Sequence, residues 1–131
     1  MKNYDYYGVF LDDDDKDLLL YGANVPKDWR IYCDHCTLIH HSCENQTIVP
    51  FLDAFLGTRV RFFIVAIGKS ENAIAYKVSL PSMNETAHIT VAVAPGHKPV
   101  ESNDIKNWDF RNIPDRWFTG TLGVHFLSQN K

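Results

Sequence analysis

The segment from Val60 to Leu80 reads VRFFIVAIGKSENAIAYKVSL. Two runs rich in β-branched and aromatic residues, Val60 to Gly68 and Ile74 to Leu80, flank the polar stretch Lys69 to Asn72. This composition is typical of two strands joined by a tight turn. We therefore predict a β-hairpin here and an antiparallel sheet as the framework of the fold.

The rest of the chain adds further strands and a few short helices. At 131 residues the chain has the length of one domain, which we assign to residues 1–131. The expected fold class is α+β with antiparallel sheet. The predicted strands are Tyr6 to Leu11, Ile31 to His40, His88 to Ala94 and Trp117 to Leu127, and the predicted helices are Asp13 to Tyr21, Pro50 to Leu56 and one turn from Asp104 to Trp108.

Composition places the chain among ordinary globular proteins, with 45% apolar and 22% charged residues. No stretch approaches the ~20 apolar residues of a membrane span, and the first residues lack the apolar run of a secretion signal. We expect a cytoplasmic protein with no membrane partner. The net charge of -3 and the scattered basic residues argue against duplex DNA as a partner and leave a small nucleotide or one RNA end.

The acidic run Asp12 to Asp15 is best explained as the start of a helix, because carboxylates stabilise a helix N-terminus. A calcium loop of the EF-hand type would need a glycine and a distal glutamate that this run lacks. The three cysteines are an odd number within eleven positions, a poor disulfide framework, and we expect reduced thiols. No metal and no cofactor are predicted.

One short pattern occurs twice, as His35-Cys36-Thr37-Leu38 and His88-Ile89-Thr90-Val91. Side chains alternate between the faces of a strand, so the histidine and the threonine of each copy share one face. Two such strands facing each other would place two imidazoles and two hydroxyls around one pocket.

That set suits the hydrolysis of a cyclic phosphate. One imidazole can take a proton from water, the other can protonate the departing oxygen, and hydroxyls can hold the non-bridging oxygens. Histidine fits both roles because its usual pKa of about 6.5 keeps both forms available near neutrality. A single His-x-Thr could arise by chance, since threonine is common in strands, but two copies favour function.

These residues resemble the 2H phosphoesterases, a family that includes the catalytic domain of 2',3'-cyclic nucleotide 3'-phosphodiesterase and the cyclic phosphodiesterase domains of tRNA ligases. The similarity occurs in four places spread from the start of the chain to near its end. The similar segments are Tyr6 to Leu11, His35-Cys36-Thr37, Ala87-His88-Ile89-Thr90 with Ala94 and Pro99-Val100 after it, and Phe118-Thr119-Gly120 with Gly123.

The resemblance implies a bilobal fold in which two antiparallel sheets, related by a pseudo-twofold axis, each supply one motif to a central cleft. It also implies metal-independent hydrolysis of a 2',3'-cyclic phosphate to a 2'-phosphate with a free 3'-hydroxyl. His88 would be the base and His35 the acid, although the pseudo-symmetry makes these roles nearly interchangeable. Thr37 and Thr90 would bind phosphate oxygens, and Tyr6 would lie at the cleft edge and act through a water.

The chain also departs from the family. Only 53 positions separate the two motif histidines, fewer than we would expect for the cyclic nucleotide enzyme, so the cleft should be more open. We expect no attached ligase or kinase domain, so that an RNA ligase or kinase partner would be a separate chain. We expect a monomer.

Three alternatives stay open. A zinc-binding module could use Cys33, Cys36 and Cys43 with His35, His40 or His41, although a zinc knuckle needs a tight turn that Asp34-His35 does not offer. A relative could bind nucleotides or RNA ends without turnover, and another could cleave 2',5'-linked oligoadenylate with the same motifs. The remaining histidines, His40, His41, His97 and His125, have no threonine two positions later and are expected at the surface or the cleft rim.

Overall fold

The computed structural model describes residues 3–84 and 86–127. Within these residues the fold combines antiparallel strands with a few short helices, which confirms the α+β class. The strands are β1 Tyr4–Leu11, β2 Arg30–Ile31, β3 His35–His40, β4 Arg59–Lys69, β5 Ala73–Val78, β6 His88–Val93, β7 Trp108–Asp109 and β8 Trp117–Phe126. The helices are α1 Asp13–Ala23, α2 Val49–Ala54 and a 3-10 helix at Pro99–Asp104.

The strands follow one another in the order β2-β6-β3-β1-β8-β4-β5, and every pairing is antiparallel. β5 also pairs with β6, so the strand pairings from β6 through β5 form a closed circuit. The seam between β3 and β6 is narrow, with a single registered pair, Cys36 and Ile89. The division into two lobes related by a pseudo-twofold axis stays a prediction.

The predicted hairpin is confirmed. β4 and β5 pair in register from Ile67 with Tyr76 to Lys69 with Ile74, and the amide of Ser70 donates to the carbonyl oxygen of Ala73 at 2.9 Å across the turn. The β-branched and aromatic side chains of this hairpin alternate between a buried and an exposed face along its first half, as a half-buried antiparallel strand requires.

The single strand predicted from Ile31 to His40 is wrong, because the chain bends at Cys33. This residue has φ 52°, in the left-handed region that non-glycine residues rarely adopt. The bend separates β2 from β3, and the amide of Cys33 donates to the carbonyl oxygen of Thr90 at 2.8 Å. Long-range bonding to β6 thus decides the chain direction just before the first motif.

The helical turn predicted from Asp104 to Trp108 is also wrong, since the turn lies earlier, at Pro99–Asp104, and Trp108 belongs to β7. Proline suits the first turn of a helix because it lacks the amide that would be unpaired there. The Glu101 carboxylate accepts the amide of Lys98 at 3.0 Å, which holds the same turn.

Both α-helices pack on one face of the sheet. Leu19 of α1 is fully buried against the main core, and Leu52 of α2 is buried in a second cluster with Tyr4, Tyr7 and Ile39. Burying one such side chain contributes about 1.5–3 kcal/mol. The opposite face of β1 and β3 is thereby left free to line a cleft.

In the part of the chain that the structure describes, no helix is both long and apolar enough to cross a bilayer.

Candidate active site

The two His-x-Thr motifs lie on strands that pair with each other. β3 and β6 meet antiparallel at Cys36 and Ile89, the middle residues of the motifs, whose side chains are only 1% and 0% exposed. Because side chains alternate along a strand, the histidine and threonine of both motifs point to the opposite face. Each motif is therefore anchored in the core by its middle residue.

The register changes on one side of this pair, since the carbonyl oxygen of Thr90 accepts the amide of Cys33 at 2.8 Å. The two motif histidines lie on the two strands that meet at this seam, each one residue before the registered pair. They line one cavity of about 630 Å³ together with both threonines and Tyr6. The four motif residues and Tyr6 thus border a single space, although their chemical roles stay predictions.

His35 is held in a stack of rings. The Tyr6 ring lies 4.4 Å from it at an interplanar angle of 18°, with the phenol oxygen 3.4 Å from His35 Nδ1. Burial lowers the pKa of His35 to about 4, with Asp34 opposing and His125 and His88 reinforcing the shift. The imidazole is therefore neutral at pH 7 in the free protein.

Tyr6 keeps its proton at the same pH. Burial, together with the carboxylates of Asp5 and Asp34, raises the pKa of its phenol to about 12. Tyr6 is thus available to donate a hydrogen bond at the cleft edge rather than to act as a phenolate.

The ring of His88 is oriented by the backbone. Its Nδ1 lies 2.8 Å from the carbonyl oxygen of Thr86, and since a carbonyl can only accept, Nδ1 carries the hydrogen. Nε2 is therefore the ring nitrogen that this hydrogen bond leaves free. A neighbouring cavity of about 240 Å³ adjoins the first, and its lining is Asn84, Thr86, His88, Ser102, Asn103, Ile105 and Trp108.

Ser102 is a site residue that the sequence reasoning missed. Its hydroxyl lies 2.9 Å from the Thr90 hydroxyl, and the side chain is 2% exposed. Ser102 belongs to the 3-10 helix, which packs over β5 and β6. Asn84 and Asn103 were also missed, and they line both cavities. No local pattern marks these three residues, because only the packing of their loops brings them to the cleft.

Two hydrogen bonds tie the loop before β6 to β3. The Ser82 hydroxyl donates to the carbonyl oxygen of Thr37, and the Met83 amide donates to that of Leu38, both at 2.8 Å. These bonds extend the contact between the two motif strands beyond their single registered pair. The relative position of the motifs is thereby held by two carbonyl oxygens of β3, one bonded to a side-chain hydroxyl and one to a backbone amide.

Gly8 lets β1 approach β3 behind the first motif. A Cβ atom at this position would lie 2.7 Å from the carbonyl oxygen of Cys36 and 3.6 Å from Cδ2 of His35. The β1–β3 register also shifts between Tyr7 and Gly8. A glycine is therefore needed where the two strands come closest to the His35 ring.

The cysteines do not form the zinc site considered from the sequence. Cys33 and Cys36 are buried in the core, while Cys43 packs in a different cluster. Burial raises the pKa of the Cys33 and Cys36 thiols to about 12, so they stay protonated. Among residues 3–84 and 86–127, the side chains with metal-ligand spacing are those of Asp5, His40 and His41, and no cysteine is among them.

The comparisons with known proteins agree with this arrangement. The sequence profile of the fungal tRNA ligase phosphodiesterase domain matches residues 53–116, which include the second motif. No curated protein matches the chain in sequence.

A solved structure titled "Crystal Structure of Fungal RNA Kinase" superposes with a TM-score of 0.69 at 18% identity, over 96% of this chain and 46% of that one. At this identity the likeness concerns the fold, and the chain spans about half the length of that relative. The resemblance to 2H-type cyclic phosphodiesterase domains, those of fungal tRNA ligases among them, is confirmed.

Proposed function

We propose that this chain hydrolyses 2',3'-cyclic phosphates, opening the ring to a 2'-phosphate and a free 3'-hydroxyl without a metal ion. The name of the matching profile, a tRNA ligase phosphodiesterase domain, supports a hydrolase of this general kind. The observation that carries the proposal is that both His-x-Thr motifs line one cavity across an antiparallel pair. The substrate could carry its cyclic phosphate at an RNA end, which is consistent with the tRNA ligase domain that the profile names.

His88 is proposed as the general base. With Nδ1 donating to Thr86, its Nε2 has a free lone pair that can accept a proton from water. The water oxygen then forms a bond to phosphorus as the bond from phosphorus to the 3' oxygen breaks. Thr37 and Thr90 donate hydrogen bonds to the non-bridging oxygens, and Tyr6 assists through a water.

His35 is proposed as the general acid that protonates the departing 3' oxygen. Burial keeps it neutral in the free protein, with a pKa of about 4. The cyclic phosphate carries a negative charge, and an anion beside an imidazole raises its pKa. Substrate binding therefore favours the protonated form of His35, which takes its proton from solvent before donating it to the 3' oxygen. The reverse assignment of the two histidines is the alternative that the near-symmetry of the motifs allows.

The proposal extends to the architecture. The narrow β3–β6 seam, with its single registered pair, supports two lobes that meet at the cleft. Cytoplasmic location, a monomeric state and a separate ligase or kinase partner stay predictions.

The test is hydrolysis of 2',3'-cyclic AMP in EDTA by the wild type and by His35→Ala and His88→Ala, with the product isomer assigned. We expect EDTA-resistant formation of the 2'-phosphate and a loss of at least ~100-fold for each substitution, as removal of a general acid or base produces. His97→Ala is the matched control, since His97 is exposed and pairs with Glu101 outside the cavity lining.

Other outcomes separate the alternatives. Activity only on 2',5'-linked adenylates, with the same two histidines required, would replace the proposed substrate while keeping the site. Binding of the cyclic nucleotide without turnover would indicate a non-catalytic module. Activity that EDTA abolishes would refute the metal-independent mechanism.

A further inference from the structure

Three histidines converge on the carboxylate of Asp5 at the rim of the cavity. His40 Nε2 lies 3.3 Å and His41 Nδ1 lies 3.7 Å from Asp5 Oδ1, while His125 Nδ1 lies 3.2 Å from the other oxygen, Oδ2. None of these residues has a role in the proposed hydrolysis. The cluster therefore needs an explanation of its own.

The backbone of three neighbouring strands builds this cluster. Tyr6 of β1 pairs with His40 on β3 and with His125 on β8, so both histidines flank the residue next to Asp5. The β1–β8 register shifts between Tyr4 and Tyr6, at Asp5 itself, and the amide of His41 donates to the Asp5 carbonyl oxygen at 2.9 Å. The side chains are thus gathered by sheet register before any ligand binds.

The donor atoms have the spacing of a metal site. One ligand atom each from Asp5, His40 and His41 lies within 4.8 Å of the others. In a tetrahedral zinc site with bonds of about 2.0–2.1 Å, neighbouring ligand atoms are about 3.4 Å apart. A separation of 4.8 Å exceeds this spacing by about 1.4 Å, which shifts of about 0.7 Å in each of two side chains would close. The side chains are 29–44% exposed, so an ion could enter.

We propose that Asp5, His40 and His41 bind a divalent transition-metal ion, with Zn²⁺ as the preferred ion. Imidazole nitrogens with one carboxylate oxygen are a donor set that zinc favours. Coordination by His41 Nδ1 replaces its present hydrogen bond to the Asp5 carbonyl oxygen, which is 3.1 Å away.

Neighbouring groups orient two of the ligands. His40 Nδ1 accepts the amide of Ser42 at 3.1 Å and lies 2.8 Å from the Ser42 hydroxyl. When Nε2 binds the ion, the ring hydrogen must move to Nδ1, which then donates to the hydroxyl in place of accepting the amide. His125 contacts the carboxylate oxygen that the other two histidines leave free. Partners of this kind fix the orientation of metal ligands. The three ligands leave a fourth position for water, and Asp5 and His40 also line the cavity, which sets the metal site at the cavity rim.

The test titrates the metal-stripped full chain with Zn²⁺ by calorimetry and with Co²⁺ by visible absorption. We expect one saturable site and the intense absorption of tetrahedral Co²⁺. His40→Ala and His41→Ala should each weaken binding at least ~10-fold, with folding checked by thermal unfolding. Asp5→Asn provides a third variant that keeps the side-chain size.

Two controls locate the ion. The double substitution His35→Ala, His88→Ala should keep the site, which separates it from the proposed catalytic pair. His97→Ala should also keep it, because His97 pairs with Glu101 at 2.9 Å without a second histidine. Absence of saturable binding, or a site lost with the catalytic pair but kept without His40 and His41, would overturn the proposal whether or not the protein is active.

Discussion

Replacing His35 by phenylalanine should remove a specific part of the acid sensitivity of folding. In the folded protein burial lowers the pKa of His35 to about 4, against an ordinary value of 6.5. Phenylalanine keeps a ring to stack on Tyr6 at 4.4 Å and to contact Phe10 at 5.5 Å, but it does not titrate. The substitution therefore removes the proton site while keeping most of the packing.

The effect of pH on the free energy of unfolding follows from the difference in proton binding between the folded and unfolded states. Between pH 6.5 and 4 the unfolded chain protonates His35 and the folded protein does not, so the free energy of unfolding falls as the pH falls. The pKa of His35 differs by about 2.5 between the unfolded and folded states. At ~1.36 kcal/mol per pH unit, this difference lowers the free energy of unfolding by about 3 kcal/mol at low pH. This contribution is fully present above pH 6.5 and is lost by pH 4, below which both states bind the proton.

The assay is urea unfolding of wild type and variant at pH values from 7.5 to 4. Because other titrating groups are shared, their effects cancel in the difference between the two proteins. We expect His35→Phe to gain about 3 kcal/mol relative to the wild type across this range. Tyr6→Phe is the control and should keep the wild-type slope, since it leaves the imidazole buried. A difference that does not change with pH would refute the burial argument.

Two further substitutions test the support of the site. Gly8→Ala should destabilise the fold by about 1–3 kcal/mol, because the new Cβ would lie 2.7 Å from the Cys36 carbonyl oxygen. It should also lower kcat/KM on a cyclic phosphate. Urea unfolding equal to that of the wild type would contradict this close approach. Ser102→Ala should lower kcat/KM up to ~10-fold through loss of the 2.9 Å contact that positions Thr90, worth about 1 kcal/mol. Ser70→Ala, in the distant β4–β5 turn, should leave kcat/KM unchanged, and equal kinetics for both serine variants would argue against a positioning role.

Sequence reasoning succeeded where the signal is local. The hairpin around Lys69 to Asn72 was predicted because two apolar runs flank a polar turn, and β4 and β5 pair as expected. It failed where distant contacts decide the backbone. The left-handed bend at Cys33 places that residue's amide on Thr90, 57 positions away, and no local propensity indicates such a bend. Ser102 was missed for the same reason, because its contact with Thr90 depends on how the 3-10 helix packs and not on the local sequence.

The sequence by itself determined which side chains share a face. Alternation along a strand sets His35 beside Thr37 and His88 beside Thr90, because this period belongs to the backbone and needs no partner. Only the tertiary structure decided that Cys36 pairs with Ile89.

That one pairing brings the two motifs to a single cavity, just as the pairing of β1 with β3 and β8 gathers three histidines around Asp5. The physical reason is that register between strands is set by the summed packing of side chains far apart in the chain. No short stretch of sequence contains that sum.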